Sequence, residues 1–266
     1  LVAGARVDEN NLYGTIYTAR MHFRWALDEF TVLRLQAGNG QRTANPIAEK
    51  QSVLVSSRSF ELLGNANLPY GLKAEKATNL GLNISREFQI DYRDGYVTLD
   101  LYRTNFSQQV VLDLDESTRR ALFYNLDGES YSNSMQLEVA YELIKFLNLK
   151  MAYRWMEVRT DFRSGLRQKP LTPKHRFFAN LGYETRTSLK GSNWTFDITG
   201  QWLGEQRVPF ASENSIENQR TETAPSFTLW NTQITRNFNK KWAAYVGVEN
   251  IFDFRQDNPI IAAENP

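Results

Sequence analysis

The chain has 266 residues, with 31 lysines and arginines against 30 aspartates and glutamates, and it contains no cysteine. The net charge of +1 and the lack of a basic tract argue against a nucleic-acid-binding protein, and the lack of cysteine excludes disulfides, thiol nucleophiles and cysteine-ligated metals. No apolar run is long enough for a transmembrane helix, but a transmembrane β-strand needs only about 9–11 alternating residues.

Apolar and polar residues alternate along much of the chain, beginning near the N-terminus. The alternation is strict in residues 19–25, 78–88, 135–142, 147–155, 194–202 and 242–249, and looser in residues 1–8, 31–37, 96–104, 175–185 and 226–237. Successive side chains of a strand point to opposite faces, so the pattern predicts about eleven strands. No helix is predicted.

The predicted connections alternate between short and long. Tight turns are expected at residues 27–30, 92–95, 143–146, 188–192 and 238–241, and long links at residues 39–73, 105–130, 159–173 and 204–225. An up-and-down meander produces this order when all its short turns lie at one end. Outer-membrane barrels have that arrangement, with short periplasmic turns and long extracellular loops.

The two faces of the predicted strands differ in composition. One carries aromatic residues close to strand ends, which is typical of membrane-surface girdles: Trp25, Tyr153, Trp155, Trp194, Trp202 and Trp242. The other carries charged residues that would line a hydrated lumen: Arg20, Arg24, Arg34, Glu87, Asp100, Glu138, Lys150, Arg154, Asp197 and Glu249. These faces favour an all-β, antiparallel up-and-down transmembrane β-barrel over the alternative, a soluble all-β fold.

The number of strands predicts an incomplete barrel. About eleven is an odd number, whereas single-chain bacterial barrels have even numbers, and an open strand edge in lipid would leave backbone groups without hydrogen bonds. The sequence also begins within a predicted strand and ends in a predicted loop. We therefore expect residues 1–266 to be one partial barrel domain of a larger protein.

Several segments together resemble one protein family. They are "RLQAGNGQRTANPIAE" (34–49), "LKAEKATNLGLNIS" (72–85), "VTLDLYRTNFSQQVVLDLD" (97–115), "FYNLDGESYSNSMQLEVAYE" (123–142), "YRWMEV" (153–158), "KPLTPKHRFFANLGYET" (169–185) and "GVENIFDFRQDNPI" (247–260). In this order they resemble the C-terminal half of a TonB-dependent outer-membrane receptor, of the type abundant in Bacteroidetes. The match is specific as a set, because it extends over nearly the whole chain.

The resemblance implies a 22-stranded barrel in the outer membrane of a Gram-negative bacterium, of which this chain would be a fragment without the N-terminal plug, the TonB box and the final strand. It implies that the parent takes up a large scarce solute, such as an iron-siderophore, haem, cobalamin or a glycan. Implied partners are outer-membrane lipid, the plug and, through it, TonB, and a surface lipoprotein is a further candidate. No cofactor and no enzymatic activity are expected. A passive outer-membrane channel and a soluble all-β binding domain remain as alternatives.

Candidate solute-binding or plug-facing residues lie in the predicted long loops. They are Arg42, Asn45 and Glu49 in "RTANPIAE", and Arg119, Arg120, Arg207, Glu213 and Arg255 further along the chain. For the first three, a structured loop base in which Asn45-Pro46 starts a turn is the preferred interpretation. For the charged residues of the lumen face, a hydrated wall is preferred over contact with a plug.

Other polar residues receive structural interpretations. His22 and His175 are expected to face the lumen without binding a metal, because they lie far apart in sequence. Asp113 and Asp115 could form an acid–base pair, but a solvated loop is the preferred interpretation. No catalytic residues are predicted.

Overall fold

The computed structural model describes residues 1–64, 67–209 and 223–256. They contain seventeen strands, one short helix, α1 (Pro46–Glu49), and 3-10 turns at Gln51–Val53 and Pro69–Gly71. The strands are β1 (Val2–Asn10), β2 (Gly14–Ala26), β3 (Thr31–Arg42), β4 (Ser59–Leu63), β5 (Glu75–Ile90), β6 (Arg93–Gln108), β7 (Val110–Asp113), β8 (Arg120–Asn125), β9 (Ser130–Ile144), β10 (Leu147–Phe162), β11 (Gly165–Gln168), β12 (His175–Glu184), β13 (Asn193–Leu203), β14 (Gln206–Arg207), β15 (Thr223–Ala224), β16 (Phe227–Asn237) and β17 (Ala243–Val248).

Eleven of the described strands form one continuous antiparallel meander, in the order β1-β2-β3-β5-β6-β9-β10-β12-β13-β16-β17, and β11 adds to the side of β10. The predicted all-β fold of about eleven antiparallel strands is thereby confirmed, and the open sheet agrees with a partial barrel. No helix in the described parts of the chain is long and apolar enough to cross a membrane.

The connections are sorted by length, as the sequence predicted. Short turns at residues 27–30, 91–92, 145–146, 185–192 and 238–242 lie at one end of the sheet, which we call the turn end. The longer connections, from β3 to β5, from β6 to β9, from β10 to β12 and from β13 to β16, start and finish at the opposite, loop end, where the short turn 11–13 also lies.

The turn between β5 and β6 lies earlier than the predicted 92–95. Its two residues are Asp91 and Tyr92, whose φ angles of +51° and +61° match a type I′ hairpin. Gly95, which suggested a turn, lies within β6 instead. A Cβ atom there would come within 2.5 Å of the Phe88 ring and 2.9 Å of the Ala140 carbonyl oxygen, so this glycine is needed for close packing beneath an aromatic ring.

Strand register separates the two faces of the sheet. One row across six strands is apolar: Phe23, Leu35, Leu82, Leu101, Met135 and Trp155. The row one residue along each strand is polar: Arg24, Arg34, Asn83, Asp100, Gln136 and Arg154. Large side chains of the apolar face remain open to the surroundings, for example Leu80 at 52% and Leu35 at 42%. Such a continuous exposed apolar surface suits lipid better than water.

The apolar face has the height of a membrane core. On β13, Trp194 and Trp202 are eight residues apart on this face, which corresponds to about 27 Å along a strand. After the usual tilt this is about 20 Å, close to the apolar band of about 25 Å in outer-membrane barrels. Trp155 lies in the middle of β10, but it pairs with His175 at the start of β12, where the pairing of β10 with β12 ends.

The buried core lies among the loops and against the loop end of the sheet, where Phe162 of β10 packs with Leu122 and Tyr124. Strands β4, β8 and β7 form a separate three-stranded sheet, in which β4 runs parallel to β8. Its residues Ala121, Leu122 and Phe123 are at most 1% exposed, and the Phe60 and Phe123 rings lie 4.4 Å apart between centroids. We call residues 43–64, 67–74 and 109–129 the loop module. The prediction of long links without strands was incomplete here.

Candidate functional site

A cavity of about 560 Å³ lies at the loop end, between the polar face of the sheet and the loop module. The ends of β3, β5, β6 and β10 contribute Arg42, Glu75, Phe106 and Thr160 to its lining. The loop module and the segment 169–172 form the remaining walls. We call this space the loop-end cavity.

Arg42, Asn45 and Glu49 form one cluster at the edge of this cavity. The Arg42 guanidinium donates to both Glu49 carboxylate oxygens, at 3.0 and 2.8 Å, and forms a further ion pair with Glu75 at 2.6 Å. Asn45 caps α1, because its side-chain oxygen accepts a hydrogen bond from the Ala48 amide at 3.2 Å. The turn predicted at Asn45-Pro46 is therefore present, and these three side chains hold the loop base together.

The protonation of Glu49 follows from these contacts. Burial raises the pKa of its carboxyl group, but the Asn45 backbone amide and the Arg42 guanidinium outweigh this effect, so the pKa lies below the ordinary value. Glu49 is thus a carboxylate, and it accepts hydrogen bonds from Arg42 at the end of β3 and from the Asn45 amide.

Asp113 and Asp115 are buried, which corrects their interpretation as a solvated loop. Asp113 is fully buried and accepts hydrogen bonds from the Tyr124 hydroxyl at 2.7 Å and from the Asp115 amide at 2.8 Å. Burial, followed by the bond to Asp113, raises the pKa of the Tyr124 hydroxyl well above its usual value. Asp115 accepts two bonds from the Arg207 guanidinium, at 2.8 and 2.7 Å.

Arg207 connects two long loops instead of pointing into open solvent. The Arg207 side chain is 17% exposed, and its partner, the Asp115 side chain, is fully buried. The Nε of Arg207 also donates a hydrogen bond to the Gln168 carbonyl at 2.6 Å. Its own carbonyl accepts from the Leu171 amide at 2.8 Å, and Leu171 has a φ of +54°, a left-handed conformation that is costly for leucine. Arg207 therefore positions the 169–172 wall of the loop-end cavity.

Lys50 and Lys169 also line the loop-end cavity, and the sequence analysis did not select them. Lys169 is an exposed residue, but protein atoms crowd part of the surroundings of its ammonium group. This burial lowers the pKa of Lys169, the charge of Lys50 lowers it further, and Glu75 opposes the change. The signal in the sequence was weak, because a single lysine before a proline has no characteristic spacing.

On the polar face, the predicted lumen residues form hydrogen-bonded groups with their neighbours. Arg34 donates to Asn83 at 2.8 Å, and Asn83 donates to Asp100 at 2.8 Å. Glu138 accepts from the Tyr96 hydroxyl at 2.5 Å and from Lys150 at 3.0 Å. The strand register places five more of the predicted lumen residues on the polar face: Arg20, Arg24, Glu87, Arg154 and Asp197.

The polar face also carries a groove of about 390 Å³, lined by Arg24, Arg34, Asn83 and Asp100. His22 lies on this face as expected, but His175 does not. His175 pairs with Trp155 on the apolar face, and its Nδ1 lies 2.7 Å from the Tyr153 hydroxyl. Within residues 1–64, 67–209 and 223–256, no three side chains of His, Asp or Glu come together as a metal site.

A family model described as "TonB dependent receptor-like, beta-barrel" matches residues 1–251. The chain belongs to the TonB-dependent receptor family. Proteins of this family are outer-membrane receptors and transporters of Gram-negative bacteria. The predicted resemblance is thereby confirmed at the level of the family, whereas the Bacteroidetes type stays a prediction.

Three solved structures share the fold of this receptor chain. The ferric-catecholate import receptor Fiu of E. coli K12 is 16% identical, with a TM-score of 0.60 over 91% of this chain and 31% of that one. The siderophore receptor PirA of Acinetobacter baumannii is 14% identical, with a TM-score of 0.65 over 94% and 39%. The copper transporter OprC is 13% identical, with a TM-score of 0.63 over 90% and 34%. The chain therefore spans about a third of their length. No curated protein matches it in sequence.

The other predicted site residues that the structure describes in this TonB-dependent receptor chain lie apart from the loop-end cavity. Arg119 and Arg120 are on the exposed side of the loop module, where Arg120 makes distant ion pairs with Glu61 at 3.5 Å and Glu116 at 3.7 Å. Arg255 pairs with Asp253 at 3.2 Å. Glu249 is exposed just after β17, and Glu213 lies outside the described residues. Contact of any predicted residue with a solute or a plug stays a prediction.

Proposed function

We propose that the protein to which this chain belongs imports a large scarce solute across the outer membrane by TonB-coupled transport. In this proposal residues 1–266 form part of the barrel wall and, with the loop module, part of its outer mouth. The family match over residues 1–251 carries the proposal, because the polar face alone would suit a passive channel equally well.

The polar face supports a role as the wall around a plug. Some of its charged side chains bond to neutral neighbours, as Arg34 does to Asn83, and each such bond has a net value of only about 0.5–1.5 kcal/mol, so an opposing domain can replace it at low cost. The proposed partners are therefore the protein's own plug and, through the plug, TonB. A surface lipoprotein that covers the mouth remains a separate hypothesis.

The first solute to test is an iron-siderophore. Two of the structural neighbours are described as receptors for a ferric catecholate or a siderophore, and a third as a copper transporter. Metal chelates are thus the favoured class for this protein as well, ahead of haem, cobalamin and glycans.

Uptake of radioactive iron tests this proposal. Cells that carry the intact protein as their sole receptor would be offered iron bound to a catecholate or a hydroxamate siderophore, with and without TonB. We expect uptake of one chelate that saturates at low concentration and is lost when TonB is deleted. Uptake that persists without TonB and rises linearly with concentration would support a passive channel instead. Recovery of the intact protein in the soluble fraction would contradict both.

A further inference from the structure

The charges that line the loop-end cavity are not balanced within it. Arg42 forms ion pairs with both Glu49 and Glu75, so these three side chains together carry one negative charge. Lys50 and Lys169 line the same cavity, and neither ammonium group has a hydrogen-bond or ion-pair partner among the described residues. The lining therefore holds three cations, Arg42, Lys50 and Lys169, against the two carboxylates of Glu49 and Glu75, and one positive charge has no matching anion.

This arrangement is unfavourable without a further group. The protein atoms around Lys169 lower the pKa of its ammonium group by desolvation, and the charge of Lys50 lowers it further. An anion placed between the two lysines would remove both penalties and form charge-assisted hydrogen bonds, which are about twice as strong as neutral ones.

The rest of the lining is mainly apolar. Phe106, Leu112 and Leu171 contribute to the walls, and each of them keeps part of its surface accessible. Gln109 lines the same space, and its buried Oε1 has no hydrogen-bond partner among the described residues. A volume of about 560 Å³ with apolar walls and a few convergent polar groups is typical of a small-molecule site.

We propose that the loop-end cavity binds a small organic anion. Its carboxylate lies between the ammonium groups of Lys50 and Lys169, and its apolar body packs against Phe106, Leu112 and Leu171. This inference goes beyond the proposed transport, because it concerns binding at the mouth and does not depend on coupling to TonB.

The walls of this site are held in place before a ligand arrives. On one side, the Arg42–Glu49–Glu75 cluster fixes the chain that leads to Lys50. On the other side, the hydrogen bond from Leu171 to the Arg207 carbonyl fixes the segment that begins at Lys169. Such preorganisation reduces the entropy that binding would otherwise cost.

Binding of 2-naphthoate to the purified intact receptor tests the proposal, with the neutral 2-naphthamide as a shape-matched control. Equilibrium dialysis in detergent, corrected with protein-free micelles, measures both affinities. We expect the receptor to bind naphthoate at least about tenfold more tightly than naphthamide, because only the carboxylate can pair with the lysines.

Substitutions locate the site. Lys169→Met and Lys50→Met each keep an unbranched apolar side chain and remove one charge, so naphthoate affinity should fall about tenfold or more while naphthamide affinity stays constant. Lys169→Arg should retain binding, which separates loss of charge from misfolding. The control Lys190→Met removes a charge from an exposed lysine in the turn 185–192, at the opposite end of the sheet, and should have no effect. Equal affinities for the two compounds, or unchanged naphthoate binding in Lys169→Met, would overturn the proposal.

Discussion

The ion pair between Arg207 and Asp115 gives the sharpest test of how the loops are held together. The Asp115 side chain is fully buried, whereas the Arg207 side chain is 17% exposed. Arg207→Met would leave a carboxylate buried without its guanidinium, and removal of one partner of a buried pair costs about 3–5 kcal/mol. Asp115→Asn would leave an arginine that water can still reach and an amide oxygen that can still accept one bond. We expect a smaller cost there, of about 1–2 kcal/mol.

Hydrogen–deuterium exchange of the intact receptor measures this asymmetry. A loss of about 1.4 kcal/mol in stability corresponds to a tenfold faster exchange. Arg207→Met should therefore speed amide exchange in residues 120–125 and 165–171 about a hundredfold or more. Asp115→Asn should speed exchange in the same residues about tenfold. Exchange in β9 and β10 below the loops should not change. Arg120→Met is the matched control, because its ion pairs of 3.5 and 3.7 Å are partly exposed and such pairs contribute less than about 1 kcal/mol. Equal effects of all three substitutions would refute the argument that burial decides the cost.

Three further predictions concern other parts of the chain. Because the pKa of Tyr124 is raised in the folded protein, the loop module should lose stability as the pH rises above about 10. Tyr124→Phe should remove this pH dependence, as measured by hydrogen–deuterium exchange. The substitution should also cost about 1–3 kcal/mol of stability, because the hydrogen bond to Asp113 is lost. Ile198→Lys on the apolar face should destabilise insertion into lipid vesicles by about 2–4 kcal/mol. Asp197→Lys on the polar face should have little effect. Similar results for both substitutions would contradict the assignment of faces. Gly95→Val should lower the temperature at which the β5–β6 hairpin unfolds, because the valine side chain would collide with the Phe88 ring. Gly40→Val should be tolerated, because a Cβ atom at position 40 meets no atom within 4 Å.

The sequence predicted those features that depend on a local period. Alternation with a period of two gave about eleven strands and their two faces, and the lengths of the links gave the sorting of turns and loops. These follow from the chain itself, because a strand orients each side chain by its position alone. The residues of the polar face, such as Arg34 and Asp100, could therefore be selected without a structure.

The tertiary structure decided how the loops pack and which of their charges are engaged. Arg207 and Asp115 are separated by 92 residues, and Arg58 reaches the Ser117 carbonyl across 59. Contacts at such separations depend on the positions of several strands at once, and no periodic pattern records them. For this reason the sequence suggested solvated loops where the protein has a buried core, did not reveal that Arg207 pairs with Asp115, and passed over Lys169.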